Sequence, residues 1–91
     1  MAVTEQELSE LARDELDLAR RMSWRELIRV TPWSDAYVAM SGSGSEVEIE
    51  RSYIWVDDTR QSIRVDVWAR SLDDPQAEAL QTATATPEGF E

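Results

Sequence analysis

The sequence predicts an α+β fold, in which an N-terminal helix, kinked or broken near residue 23, packs on a small, mainly antiparallel sheet of three strands. Residues 4–30 carry helical periodicity with two capping motifs, and residues 46–70 carry two β-rich runs around a polar turn. A chain of 91 residues supports one modest core. We therefore expect a single domain over residues 1–81, with a short C-terminal helix, followed by a flexible tail over residues 82–91.

The first helix is predicted from a capping motif and an apolar stripe. Thr4 precedes Glu7 by three residues, the spacing at which an N-cap hydroxyl accepts from a backbone amide of the first turn. Leu, Ala and Met residues then recur on one face as far as Met22. Later apolar positions lie on a different azimuth, so the helix is expected to kink or restart.

A second short helix is predicted directly after that point. Ser23 and Glu26 repeat the capping spacing, and apolar residues continue to about Val30. Pro32 restricts the residue before it to extended conformations, so the helix is expected to end there.

The sheet is predicted from three apolar runs. Residues 36–40 form a short strand, and the Gly/Ser segment 41–45 is a flexible connector. Residues 46–70 form a hairpin around the turn at 57–61.

Side-chain parity sets the register of this hairpin. The apolar residues of both runs share a face when Trp55 lies opposite Ile63. The same register puts Glu48 opposite Arg70 on the other face. Arg51 falls among the apolar positions, so we expect it either to pair with Glu15 of the first helix or to extend to water at the sheet margin.

The last segment reads as a helix and a tail. Asp74 before Pro75 resembles an N-cap followed by proline at the first helical position, which predicts a helix over residues 75–81. Residues 82–91 are expected to be mobile.

Composition excludes several classes of function. The chain has no Cys, no His and no Lys, so the usual general base, thiol nucleophile, Schiff-base amine and soft metal ligands are absent. We expect a non-enzymatic protein without a cofactor or a metal. A formal charge of −10 repels nucleic acid and anionic membranes, which predicts a basic or neutral protein partner. Neither a signal peptide nor a membrane-spanning run is recognisable, so a cytoplasmic protein is expected.

A carboxylate-based enzyme or a divalent-cation binder is the weaker alternative. Asp57-Asp58 and Asp73-Asp74 supply oxygen ligands, but their positions at a turn and at a helix start are explained by turn formation and capping. The acidity is also explained by solubility alone.

The arginines fall into two segments that interrupt the acidic ones. Arg21, Arg25 and Arg29 form a basic stripe if the first helix continues across Ser23. Arginines that neutralise neighbouring acids leave the acidic faces outward and favour binding of a basic partner. Arginines that face solvent make the protein bipolar and favour self-assembly.

The predicted function is masking of a basic protein surface, as an inhibitor, an immunity protein or an anti-defence protein, with mimicry of nucleic acid as one form. The alternative is a homo-oligomeric assembly module, such as a homodimer, that uses exposed sheet edges. The partner-binding residues are predicted to be exposed aromatic and acidic side chains of the sheet and its turn. They are Trp33, Glu46, Glu48, Glu50, Asp57, Asp58 and Trp68.

Overall fold

The computed structural model describes residues 4–74 and 76–90, which form two helices followed by five strands. The elements are α1 (Glu5–Ala19), α2 (Trp24–Val30), β1 (Trp33–Met40), β2 (Glu46–Trp55), β3 (Ile63–Ser71), β4 (Glu78–Thr86) and β5 (Gly89–Phe90). The five strands make one antiparallel sheet in chain order, so every strand pairs with the next by a hairpin. No helix among these residues is long and apolar enough to cross a membrane.

Both helix starts follow the predicted capping chemistry. The Thr4 hydroxyl accepts from the Glu7 amide at 3.1 Å. Ser23 and Glu26 form a complete capping box, with the Ser23 hydroxyl accepting from the Glu26 amide at 3.2 Å and the Glu26 carboxylate accepting from the Ser23 amide at 3.1 Å. The backbone hydrogen bond from Ser23 lowers the pKa of Glu26. The expected break near residue 23 is confirmed, although α1 ends at Ala19 rather than near Met22.

The core lies between α1 and one face of the sheet. Four small or aliphatic residues of α1 are buried on that face: Leu8, Ala12, Leu16 and Ala19. They pack on alternate residues of β2, β3 and β4, and α1 contacts β3 and β4 most extensively. We call this side of the sheet the inner face and the opposite side the outer face.

The predicted register of the β2–β3 hairpin is confirmed. Trp55 lies opposite Ile63, and Glu48 lies opposite Arg70. The buried residues of both strands therefore fall on the inner face, as the alternation of apolar and polar residues requires.

The predicted three-stranded sheet with a C-terminal helix is wrong. Residues 78–86 form β4, and residues 89–90 form β5, so most of the expected tail lies within the sheet. Ala83 and Ala85 are buried opposite Val65 and Ile63. The alternation of Ala and Thr in this segment has the period of a strand, and the alanines are small enough to fit beneath α1.

A turn takes the place of the predicted C-terminal helix. The Asp74 side chain accepts from the Gln76 amide at 3.1 Å, and its backbone carbonyl accepts from the Ala77 amide at 2.9 Å. These bonds close an Asx-type turn that leads into β4. Pro75, the expected first residue of the helix, and Glu91, at the end of the expected tail, lie outside the described residues.

The first strand is longer than predicted. It begins at Trp33 rather than at residue 36, and it pairs with β2 without interruption from Trp33–Tyr53 to Met40–Glu46. The added residues place Asp35 directly beside Arg51.

The predicted basic stripe requires one continuous helix through Ser23. The break between α1 and α2 separates Arg21 from the helix that carries Arg25 and Arg29.

Candidate functional site

The outer face of the sheet carries no covering element among the described residues. Its side chains come from the alternate positions of β1 to β4 that point away from α1. They are Ser34, Ala36, Val38, Met40, Glu46, Glu48, Glu50, Ser52, Ile54, Arg64, Asp66, Trp68, Arg70, Glu78, Leu80, Thr82, Thr84 and Thr86.

An acidic row runs along β2 on this face. Glu46, Glu48 and Glu50 occupy successive outward positions, about 6.8 Å apart at the rise of an extended strand. Glu46 is exposed, and the other two are half-buried. The row presents carboxylate oxygens at regular intervals to anything that approaches the face.

Arg70 gathers three carboxylates at the centre of the face. Its guanidinium lies 3.5 Å from Glu48, 3.1 Å from Glu50 and 3.3 Å from Glu78. The hydrogen bond to Glu50 is the main cause that raises the pKa of Arg70. Because one cation meets three anions here, the group keeps an acidic surplus.

The neighbouring arginine of β3 is also paired. Arg64 donates to Asp66 at 3.2 Å, and the Thr82 hydroxyl donates to the other oxygen of the same carboxylate at 2.7 Å. The outer face therefore carries five carboxylates against two guanidinium groups, and both guanidinium groups are engaged within the face.

Apolar side chains lie among these charges. Trp68 is half-buried, stacks under the Arg70 guanidinium at 5.1 Å and lies opposite Leu80, which is 44% exposed. At the border of the sheet, Val38 and Met40 are exposed as well. A ring that is half-buried beside exposed aliphatic carbon is a common anchor in protein interfaces.

The structure brings together four of the seven predicted partner-binding residues. Trp68 shares the outer face with the acidic row of β2. Asp57 and Asp58 are exposed at the tip of the β2–β3 hairpin, where the Asp57 carboxylate accepts from the Thr59 amide at 3.0 Å. Trp33 lies on the inner face, packed edge-on against Tyr53 with ring centroids 5.4 Å apart, so it does not join the others.

The inner face holds a second polar group, centred on Arg51. Its guanidinium forms a two-point hydrogen bond with Asp35, at 2.9 and 2.6 Å, and lies 3.6 Å from Glu15 of α1. It also stacks against the rings of Trp33, at 5.1 Å, and Tyr37, at 5.0 Å. The predicted contact with Glu15 is confirmed, but Asp35 is the closer partner.

The electrostatics of this group follow from that geometry. The Arg51 hydrogen bond holds the pKa of Asp35 below its usual value. Burial and the hydrogen bond that its hydroxyl donates to Glu15 raise the pKa of Tyr37. A hollow of about 190 Å³ beside the group is lined by Met22, Val30, Trp33, Arg51 and Tyr53. The Arg51 guanidinium beside this hollow already has two carboxylate partners within the chain, Asp35 and Glu15.

Asp35 and Leu80 are site residues that sequence reasoning missed. Asp35 lies in β1 but before residue 36, where the predicted strand begins. Extending that strand to Trp33 with the same parity would have placed Asp35 on the inner face beside Arg51. Leu80 lies in β4, in a segment for which the sequence predicts a helix.

The arginines of residues 20–29 behave differently from those of β3. All four are exposed: Arg20, Arg21, Arg25 and Arg29. Among the described residues, the ion pair that this group forms is between Arg20 and Asp17, at 3.8 Å. The chain is therefore bipolar, with a basic region around α2 and an acidic outer face.

No group of three or more acidic, His or Cys residues in the described ranges is arranged to hold a metal ion. Comparison with protein-family models, curated proteins and solved structures gave no match for this chain.

Proposed function

We propose that the protein is a non-enzymatic binding protein that masks a basic protein surface with the outer face of its sheet. The observation that carries this proposal is the acidic surplus on a face whose own arginines are engaged. Arg70 and Arg64 are held by neighbouring carboxylates, so they do not counter an approaching cation at full strength. An incoming basic surface meets a net negative potential, which steers association.

The apolar residues of the face define the partner more closely. Trp68 and Leu80 lie side by side, with Glu50 on the far side of Trp68. An aliphatic or aromatic side chain flanked by Lys or Arg would bury its carbon against this pair while its basic neighbours meet the acidic row. The proposed partner surface is therefore basic at its margin and apolar at its centre.

General masking of a basic protein fits this face better than mimicry of nucleic acid. The carboxylates of β2 form a single row, whereas double-stranded DNA presents two phosphate backbones. The adjacent strand β3 contributes arginines rather than a second acidic row. Shape and local charge, not a copy of a phosphate backbone, are the basis of the proposed recognition.

The test is affinity capture and a charge-neutralising variant. The chain is immobilised and exposed at low ionic strength to a lysate of its source cells, and retained proteins are eluted with a salt gradient. We expect basic proteins to elute, and the purified partner to bind with an association rate that falls as salt rises. Capture of no basic protein, or binding that is indifferent to salt, would contradict the proposal.

A matched pair of variants locates the site. Glu46→Gln, Glu48→Gln and Glu50→Gln together remove three charges from the outer face, and Glu5→Gln, Glu10→Gln and Asp14→Asn remove three from the exposed side of α1. The first variant is expected to weaken binding of the purified partner by roughly tenfold or more, since each interfacial charge affects both steering and contact. Equal effects of the two variants would exclude the outer face as the site.

A further inference from the structure

The free edge of β1 presents a regular row of backbone hydrogen-bonding groups. Directly after β1, the Ser41 amide donates to the Ser45 carbonyl at 2.8 Å. Because hydrogen-bonded and non-hydrogen-bonded pairs alternate along an antiparallel ladder, this bond identifies which residues of β1 bond to β2. The odd-numbered residues of β1 therefore bond to β2. The amides and carbonyls of the even-numbered residues point away from the sheet: Ser34, Ala36, Val38 and Met40.

β1 lacks most of the features that protect the edges of natural sheets. The strand is eight residues long, contains no Pro or Lys, and pairs with β2 without a bulge. Its one charged residue, Asp35, is turned to the inner face and held by Arg51. The opposite side of the sheet differs, because β5 pairs with the end of β4 and α1 packs over β3 and β4.

We propose that a second copy of this chain pairs with β1, antiparallel and through a two-fold axis at Tyr37. In this register Ala36 faces Val38 of the second copy and Ser34 faces Met40, so all four outward-pointing residues of each strand bond across the axis. The side chains of Val38 and Met40, which are 57% and 60% exposed, then lose part of that exposure to their neighbours in the second strand. If the second strand were shifted by two residues, the outward-pointing amides and carbonyls at one end of each strand would have no partner in the opposite strand.

Charge complementarity selects a second copy as the occupant. The basic helix α2, with Arg25 and Arg29, precedes the first residue of β1. The opposite end of β1 is acidic, because Glu46 pairs with Met40 and the Glu7 carboxylate accepts from Ser43 at 3.0 Å. Antiparallel pairing sets the basic end of each copy beside the acidic end of the other, and it does so twice.

This dimer does not rest on the proposed function. Outward side chains of the two β1 strands fall on the same side of the joined sheet, because paired residues share a face. The two outer faces therefore form one continuous surface with two equivalent sets of acidic residues. The edge, and not the face, carries the contact.

The oligomeric state of the full chain is the first measurement. Sedimentation equilibrium is expected to show a mass of twice 10.4 kDa. The variant Val38→Pro removes an outward-pointing amide from each copy and is expected to raise the dissociation constant by about tenfold or more. Val38→Lys, which keeps the backbone intact, is expected to weaken the dimer too.

The matched control is Val56→Lys, which makes the same exchange at an exposed position outside β1. It is expected to leave the dimer unchanged. A chain that stays monomeric at high concentration would overturn the proposal. A dimer with equal sensitivity to lysine at both positions, or with sensitivity to neither, would overturn it as well.

Cysteine cross-linking tests the register, because the native chain has no cysteine. With the axis at Tyr37, the two Tyr37 Cα atoms are a non-hydrogen-bonded pair about 4.5 Å apart, within disulfide range. The two Ala39 residues are offset by four positions, about 13 Å along the strands. Mild oxidation should couple Tyr37→Cys quickly and Ala39→Cys slowly. Equal rates, or faster coupling of Ala39→Cys, would reject this register.

Discussion

Removal of the Arg51 side chain is the perturbation for which the structure gives the most specific energetic expectation. Arg51→Ala deletes a two-point hydrogen bond with Asp35, a longer contact with Glu15 at 3.6 Å, and stacking on two aromatic rings. It also leaves two carboxylates facing each other without a cation between them. The loss is therefore larger than that of an exposed arginine.

The magnitude follows from burial and distance. Losing one partner of a fully buried ion pair costs about 3–5 kcal/mol, and here the three side chains retain 21–33% of their exposure, so we expect about 2–3 kcal/mol for Arg51→Ala. The charge-assisted bonds to Asp35 predict a coupling energy of roughly 2 kcal/mol. The longer contact predicts about 0.5 kcal/mol for Glu15.

Two double-mutant cycles, measured by urea unfolding, separate these contributions. One combines Arg51→Ala with Asp35→Ala, and the other combines it with Glu15→Ala. The dependence of the unfolding free energy on urea should stay the same, since the folded surface changes little. A Glu15 coupling equal to or larger than that of Asp35, or no coupling in either cycle, would refute the assignment of Asp35 as the main partner.

Three further predictions concern pH, a turn and a cap. The lowered pKa of Asp35 means that the stabilisation by its carboxylate is complete above the unfolded pKa, about 4, and is lost as the pH falls below that value. In urea titrations the wild type should therefore keep its advantage over Asp35→Asn from neutral pH to about pH 4 and lose it progressively at lower pH. Gly44 has a φ of +87°, which disfavours any residue with a Cβ, whereas Gly42 has no positive φ; a Cβ at either position would meet open space. Gly44→Ala should therefore lower the thermal midpoint of unfolding, and Gly42→Ala should leave it unchanged or raise it. Ser23→Ala should destabilise the fold by about 1 kcal/mol in the same urea assay, and an unchanged unfolding free energy would show that the capping box is dispensable.

The parts of the fold that were predicted correctly are those in which local chemistry and side-chain parity agree. The start of α2 follows from the reciprocal bonds of Ser23 and Glu26, which need no tertiary contact. The β2–β3 register follows from the requirement that apolar residues share a face. Parity also places Arg51 among the apolar residues of the inner face, where it needs a charged partner, and this predicts its contact with Glu15.

The parts that were missed depend on contacts between distant segments. The segment that holds Ala83 and Ala85 has little apolar surface of its own, so its sequence resembles a polar tail. These residues form a strand because β3 offers a second edge to pair with and because α1 needs small residues beneath it. The acidic row could be placed on the outer face from parity, whereas Leu80 could be added to it only once β4 was known.

The distribution of arginines supports both proposals because each concerns a different part of the molecule. Arginines of β3 are engaged within the outer face, which preserves its acidic surplus, and those around α2 are exposed at one end of β1. Neutralising Glu48 and Glu50, which take no part in the charge pairing proposed for the dimer, should therefore weaken partner binding and leave the dimer nearly intact. Val38→Pro should dissociate the dimer, and a monovalent partner should lose only the small contribution of Val38 at the border of the outer face. A partner that engages both outer faces would instead bind the variant more weakly, because the second contact then lacks its high effective concentration.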